Sequence, residues 1–365
     1  MPTKKNIKTS KSKPTKGSSF MSKVIKLVLA IALISGGYMA YDYYQEALKP
    51  NINSAKRKTR YIYIKHNATY NDVLQELKDK NILLDIASFD HIAERKGYKT
   101  KVTPGKYFIK KDMTNKELVN ILKAGLQEKV TVEINNIRTK EQLASRVSRA
   151  IEADSTELLE LLNDDDYCMN NFQTTTEQIL TKIIPQDYTY DTWAIDAKTF
   201  MKKMKTAHQD FWTKERLRKA QKQNLTPTEV VILATIVQQE QQVQKTERPR
   251  IAGVYLNRLR KPMKLQADPT VIFAKGDFTI NRVTYNMLED NSLYNTYQHE
   301  GLPPGPICVA SANAIDAVLN AEVHNYIYFC AKEDFSGFHN FTANYATHQL
   351  NAQRYAKALD KRGIN

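Results

Sequence analysis

One stretch of this sequence has the residues and spacing of a proton-transfer site. It reads LTPTEVVILATIVQQEQQ over 225–242, an almost unbroken apolar run ending in Glu240. Glu240 lies three, four and seven residues beyond Val237, Ile236 and Leu233, positions that share one face of a helix. Apolar neighbours disfavour the charged form of a carboxyl and raise its pKa. A general acid working near neutral pH needs that property. The same residue also fits a plainer role, the start of the polar helix end that Gln241 and Gln242 continue. Helix geometry alone leaves both readings open.

Further polar residues follow at intervals that could surround such an acid. The segment RIAGVYLNRLR, 250–260, reads as an amphipathic helix with Ile251, Val254, Tyr255 and Leu259 inward. In MKLQADPTV, 263–271, Pro269 is expected to force a non-helical bend that presents Gln266 and Asp268. YNTY at 294–297 supplies Asn295 and Tyr297, and GLPPGPI at 301–307 suits a stiff cleft wall. Gln266, Asp268, Asn295 and Tyr297 are candidates for polar groups presented to a substrate, with Asn257 and His339 as weaker ones. Each could equally satisfy the backbone of its own loop. His339 and His348 flank an aromatic, Asn-rich stretch, but no HExxH pattern or cysteine pairing marks a metal centre.

The elements that must position these groups are legible from their caps. Thr226, Pro227 and Glu229 form a strong start for the helix carrying Glu240. Upstream, Tyr61–Ile64 and GKYFI at 105–109 read as strands, and 71–80 and 86–96 read as helices. Thr114 and Glu117 form a capping box for a helix that Gly125 closes. The order strand, helix, helix, strand resembles the LysM type of glycan-binding module. KVTVEI at 129–134 alternates like a strand, helices follow near 140–151 and 156–162, and Asp164–Asp166 reads as a solvated acidic loop. Asn325–Cys330 reads as a core strand. The fold class expected is α+β, with domains at 61–128 (LysM-like module), 129–224 (connecting part) and 225–365 (catalytic core).

The 365 residues are 42% hydrophobic and carry a net charge of +15. These proportions fit two or three folded units and exclude a wholly disordered or multi-spanning protein. Eight lysines and no acid within residues 1–26 supply +8 of that charge. The apolar run Val24–Tyr41 is eighteen residues long, about 27 Å as a helix and enough to cross a bilayer core. Tyr38, Tyr41, Tyr43 and Tyr44 suit an interfacial belt. A signal-peptide cut after Ala40 would put bulky Tyr38 three positions back, against the small-residue rule. The expectation is a basic cytoplasmic tail (1–23), one uncleaved membrane helix (24–41), a polar linker (42–60), and the remainder on the far side of the membrane. With so much of the charge in the tail and no recognition module, nucleic acid is not the expected partner. Cys168, Cys308 and Cys330 are too scattered for a disulfide scaffold and read as packed thiols.

Taken in order, LTPTEVVILATIVQQE, ERPRIAGVYLNRL, MKLQADPTV, YNTY, GLPPGPI and the His339-x-Phe341 pair resemble the YceG-like family of membrane-anchored endolytic murein transglycosylases. The resemblance is specific over 225–350 and looser over 61–224. It implies that Glu240 is the catalytic acid/base, acting on peptidoglycan glycan strands to leave 1,6-anhydro-N-acetylmuramic acid ends, with no metal or organic cofactor. It also implies cooperation with penicillin-binding synthases. Two departures stand out: Gln238 occupies the position of a family glutamate, and Gln186 replaces an acid in IIPQDYTY, 183–190. The residues themselves leave room for hydrolysis, with Asp268 as a second carboxylate. A non-catalytic wall-binding scaffold is the rival class; it would tolerate loss of Glu240.

Overall fold

The structure is a computed structural model that describes residues 16–53 and 61–363. The lysines of the tail before residue 16, and Lys56, Arg57, Lys58 and Arg60 of the expected linker, lie outside the described residues. Two compact units divide the chain, Met1–Glu128 and Lys129–Asn365.

The first unit begins with the helix Lys16–Tyr43. Phe20–Leu48 is long and apolar enough to cross a membrane. Leu33 and Ile34 are about three-quarters exposed, so among the described residues nothing packs along the apolar length of this helix. Its continuation corrects the linker expectation. Tyr44–Leu48 forms a π-helical turn with Ala47 fully buried, and Pro50 and Ile52 bridge to Thr114 and Leu83. The reason is Asn51, whose buried amide donates to Asp85 O at 2.6 Å and Asn115 Oδ1 at 2.8 Å. Asn115 in turn donates to Ser88 Oγ at 2.9 Å and Glu46 O at 2.8 Å. A polar segment is thus held by a satisfied buried network, which hydropathy patterning does not register.

Tyr61–Ile64 and Gly105–Phe108 pair antiparallel, from Tyr61 opposite Phe108 to Ile64 opposite Gly105. Strand alternation sends Ile62 and Ile64 inward. They meet Val73 and Leu77 of the helix Tyr70–Asp79, Phe89 and Ile92 of Ile86–Arg95, and Leu118 and Leu122 of Asn115–Ala124. The Thr114/Glu117 capping box is present, and Gly125 ends that helix at φ +68°.

In the second unit, Val130–Glu133 pairs antiparallel with Asp187–Tyr190, which is the second half of IIPQDYTY. One core gathers Leu143 and Val147 of the helix Lys140–Ser148, Leu158 and Leu162 of Ser155–Asn163, and Phe200, Met201 and Met204 of Ala197–Phe211. Asp164–Asp166 is not a free acidic loop. Asp164 caps the helix Asp165–Phe172 by accepting from Tyr167 N at 2.9 Å, a position where acids oppose the helix dipole favourably.

A second core surrounds the helix Pro227–Glu240, in which Val230 to Val237 are all buried. Arg248–Arg260 and Ala312–Leu319 pack on it through Ile251, Tyr255, Ile315 and Val318. The expected core strand at 325–330 is instead a half-buried hairpin, Tyr328–Ala331 with His339–Thr342. His339 opens its second strand, while His348 belongs to the helix Tyr345–Lys361 and stacks on Tyr328 at 5.2 Å.

Gly253 sets how closely the Arg248–Arg260 helix approaches the chain at 322–324. A Cβ there would sit 2.5 Å from Glu322 O and 2.6 Å from His324 Nε2. Alanine favours a helix interior over glycine by about 1 kcal/mol, but overpacking costs about 1–3 kcal/mol or more. Gly253→Ala is therefore expected to destabilise the protein by up to about 2 kcal/mol net, read as a lower thermal unfolding midpoint.

Candidate active site

Glu240 is the last residue of its helix, after a capping box between Thr226 and Glu229 and with Pro227 in the first turn. Leu233, Ile236 and Val237 behind it have no exposure, as the helical spacing predicts. The residue itself is half-buried: part of its surface reaches solvent, yet protein atoms crowd the carboxyl. Tyr255 Oη donates to Glu240 Oε1 at 2.7 Å. Burial pushes the Glu240 carboxyl up to about 7; the charge of Asp268 adds to the rise, and the Tyr255 bond and the Arg258 charge oppose it. Such a group can hold a proton near neutral pH and also release it.

The start of the helix Asp268–Lys275 and the 294–297 segment bring Asp268 and Tyr297 together, Tyr297 Oη donating to Asp268 Oδ1 at 2.6 Å. Thr270 Oγ1 and Thr296 Oγ1 lie 2.9 Å apart, Gln266 N donates to Thr296 O at 3.0 Å, and Ala267 N donates to Thr296 Oγ1 at 3.0 Å. Pro269 does not break a helix here. It occupies the first turn of the helix Asp268–Lys275, where its missing N–H costs nothing. The bend lies earlier, at Gln266, whose φ of +49° is left-handed and leaves its side chain exposed. Asp268 is exposed as well, and Tyr297 is half-buried.

The other candidates serve the chain around them. Asn295 is fully buried, its amide donating to Leu288 O at 3.0 Å and Asp290 O at 2.7 Å and accepting from Tyr297 N at 3.0 Å. Asn257 donates to His324 O at 2.8 Å and Tyr326 O at 3.0 Å. His339 Nδ1 lies 2.6 Å from Glu247 Oε2, and Glu247 Oε1 accepts from His339 N at 3.0 Å. Gln241, next after Glu240, donates to Glu247 Oε2 at 3.1 Å and Gly337 O at 2.8 Å, so this cluster fixes the chain leaving the helix. Gln238 accepts from Ser311 N at 2.8 Å and donates to Val309 O at 3.4 Å. An amide meets a backbone donor and acceptor together, which a single carboxylate does not. Gln186 is exposed.

Sequence reasoning placed Tyr255 in the core and overlooked Arg258. Arg258 is buried and donates to Ile327 O and Leu265 O, both at 2.7 Å. It lies seven, four and three residues after Ile251, Val254 and Tyr255. A charge on that inward face was the available signal.

The YceG-like family model matches residues 62–354, most of the chain. The protein belongs to the YceG-like family. Among curated relatives, the endolytic murein transglycosylase of Bacillus subtilis is 26% identical over 350 residues, covering 90% of this chain and 93% of that protein. The enzyme of the same name from Streptococcus pneumoniae serotype 2 is 27% identical over 341 residues, covering 84% of this chain. That relative is longer, and the match spans 60% of it. A crystal structure of a yceG-like protein from Listeria monocytogenes superposes with a TM-score of 0.55 at 24% identity, covering 80% of this chain and 97% of that one. Its likeness establishes a shared mixed helix-and-sheet fold.

Proposed function

We propose that this YceG-like protein is an endolytic peptidoglycan lytic transglycosylase with Glu240 as its acid/base. The observation that carries this reading is the crowded Glu240 carboxyl, raised to about 7 and held by Tyr255, in a chain of this family. In the first step Glu240 donates its proton to the oxygen bridging N-acetylmuramic acid and N-acetylglucosamine. The resulting carboxylate then takes the proton of the muramoyl 6-hydroxyl as that oxygen closes on the anomeric carbon. The nucleophile belongs to the substrate, so intramolecular attack has a large effective concentration and needs no water. Tyr255 orients the carboxyl. Asp268, Tyr297 and Gln266 bind sugar hydroxyl and acetamido groups, while Asn295 holds the Tyr297 loop in shape.

The reading extends to the whole chain. Lys16–Tyr43 anchors the protein in the plasma membrane as a single span with the N-terminus cytoplasmic, on the strength of its length, exposed apolar surface and flanking lysines. The unit before Lys129 is a LysM-like glycan-binding module, supported by its strand and helix order. Cleavage outside the membrane would then act on newly made strands beside penicillin-binding synthases and terminate their elongation.

The exposed Asp268 gives hydrolysis a second carboxylate. Mass spectrometry of fragments released from purified peptidoglycan separates the two outcomes. Anhydro ends are expected throughout. Reducing ends would mean that water is the nucleophile.

A further inference from the structure

A second candidate site lies in the Lys129–Asn365 unit, on residues for which the glycan chemistry above has no use. Two cavities of about 360 and 500 Å³ flank the helix Ala197–Phe211. They share Asn171, Phe172, Lys205 and Gln209, so they run together. Lys198, Lys202 and Lys205 line them at helical spacing, a row of charges over about 10 Å on one helix face. No Asp or Glu lines either cavity.

A lysine row alone is ordinarily a solvated helix face. Lys182 distinguishes this one. It lines the smaller cavity, is only 9% exposed, and its ammonium makes a single bond, to Thr228 Oγ1 at 3.3 Å. No carboxylate faces it within ion-pair distance among the described residues, so its desolvation is unrepaid by the protein. His208 lines the same cavity, and burial followed by the Lys182 charge pushes it down to about 4. It is neutral at physiological pH and offers a donor and an acceptor.

We propose that these joined cavities bind a linear, phosphate-bearing polyanion, with Lys182 meeting its innermost charge and the Lys198, Lys202, Lys205 row meeting successive ones. A row of positive charges matches a chain of repeating negative ones better than a single anion. Lysines are point charges with rotatable donors and serve phosphate oxygens well.

The test uses the full chain in detergent and inorganic polyphosphate as the probe. Amine-reactive labelling read by mass spectrometry should show protection of Lys198, Lys202 and Lys205, with Lys203 on the same helix still labelled. The triple variant Lys198→Gln, Lys202→Gln, Lys205→Gln should weaken binding on the order of tenfold and flatten its logarithmic salt dependence by about 2. Lys203→Gln should change neither. Lys182→Met should also weaken binding; if it fails to fold, the triple variant on the helix surface still decides the matter. Labelling that spares only the N-terminal tail lysines would overturn the proposal, as would equal loss in Lys203→Gln. Poly-glutamate binding as tightly and protecting the same three lysines would refute the phosphate assignment.

Discussion

Glu240→Gln is expected to reduce release of glycan fragments from purified peptidoglycan by at least about 100- to 10,000-fold, the usual contribution of a positioned general acid or base. Glutamine keeps the shape and can still accept the Tyr255 hydroxyl, but it neither gives nor takes the proton. The same substitution should make the fold more stable at alkaline pH. Glu240 has a folded-state pKa of about 7 against an ordinary 4.5. A raised carboxyl contributes stability that is complete below the unfolded pKa and is lost as pH rises through the folded one. The full shift corresponds to about 3 kcal/mol, and partial solvent access reduces this to about 1–2 kcal/mol. Thermal unfolding should therefore favour the variant at about pH 8, with the difference vanishing below about pH 4.5. Normal cleavage by a folded Glu240→Gln protein would sink the acid/base role. Equal stability at both pH values would instead contradict a desolvated carboxyl.

Tyr255→Phe tests the positioning partner through the pH profile. The Tyr255 bond lowers the Glu240 pKa, against burial. Removing it should move that pKa upward from about 7. The first step needs the protonated acid, so wild-type activity should fall as pH rises through the Glu240 pKa. In Tyr255→Phe the fall should begin at higher pH. On the acidic plateau the rate should drop on the order of ten- to a hundredfold, because the carboxyl loses its fixed orientation. A merely structural tyrosine would lower the plateau and leave the pH of the fall unchanged.

The local elements were readable because their signals are local. Thr226, Pro227 and Glu229 specify a helix start within four residues, and Thr114, Glu117 and Gly125 bracket another. The apolar run placed Glu240 at the end of a buried helix, and the motif order pointed to the family that its match over 62–354 establishes. Where an element joined the fold through side-chain bonds to distant backbone, reading failed. Asn51 pulled an expected linker into the first core, and the strand read at 325–330 lies at 328–331, half-buried rather than in the core.

Sequence by itself determined which carboxyl sits against apolar surface, since helical period and capping act over a few residues. Only the tertiary structure decided what that carboxyl touches. Tyr255 is fifteen residues away and on another helix, and Asp268 meets Tyr297 because a threonine pair ties the start of its helix to the 294–297 segment. The same packing spent Asn257, Asn295 and Gln238 on backbone groups, because a buried donor or acceptor must be satisfied by whatever the fold brings within about 3 Å.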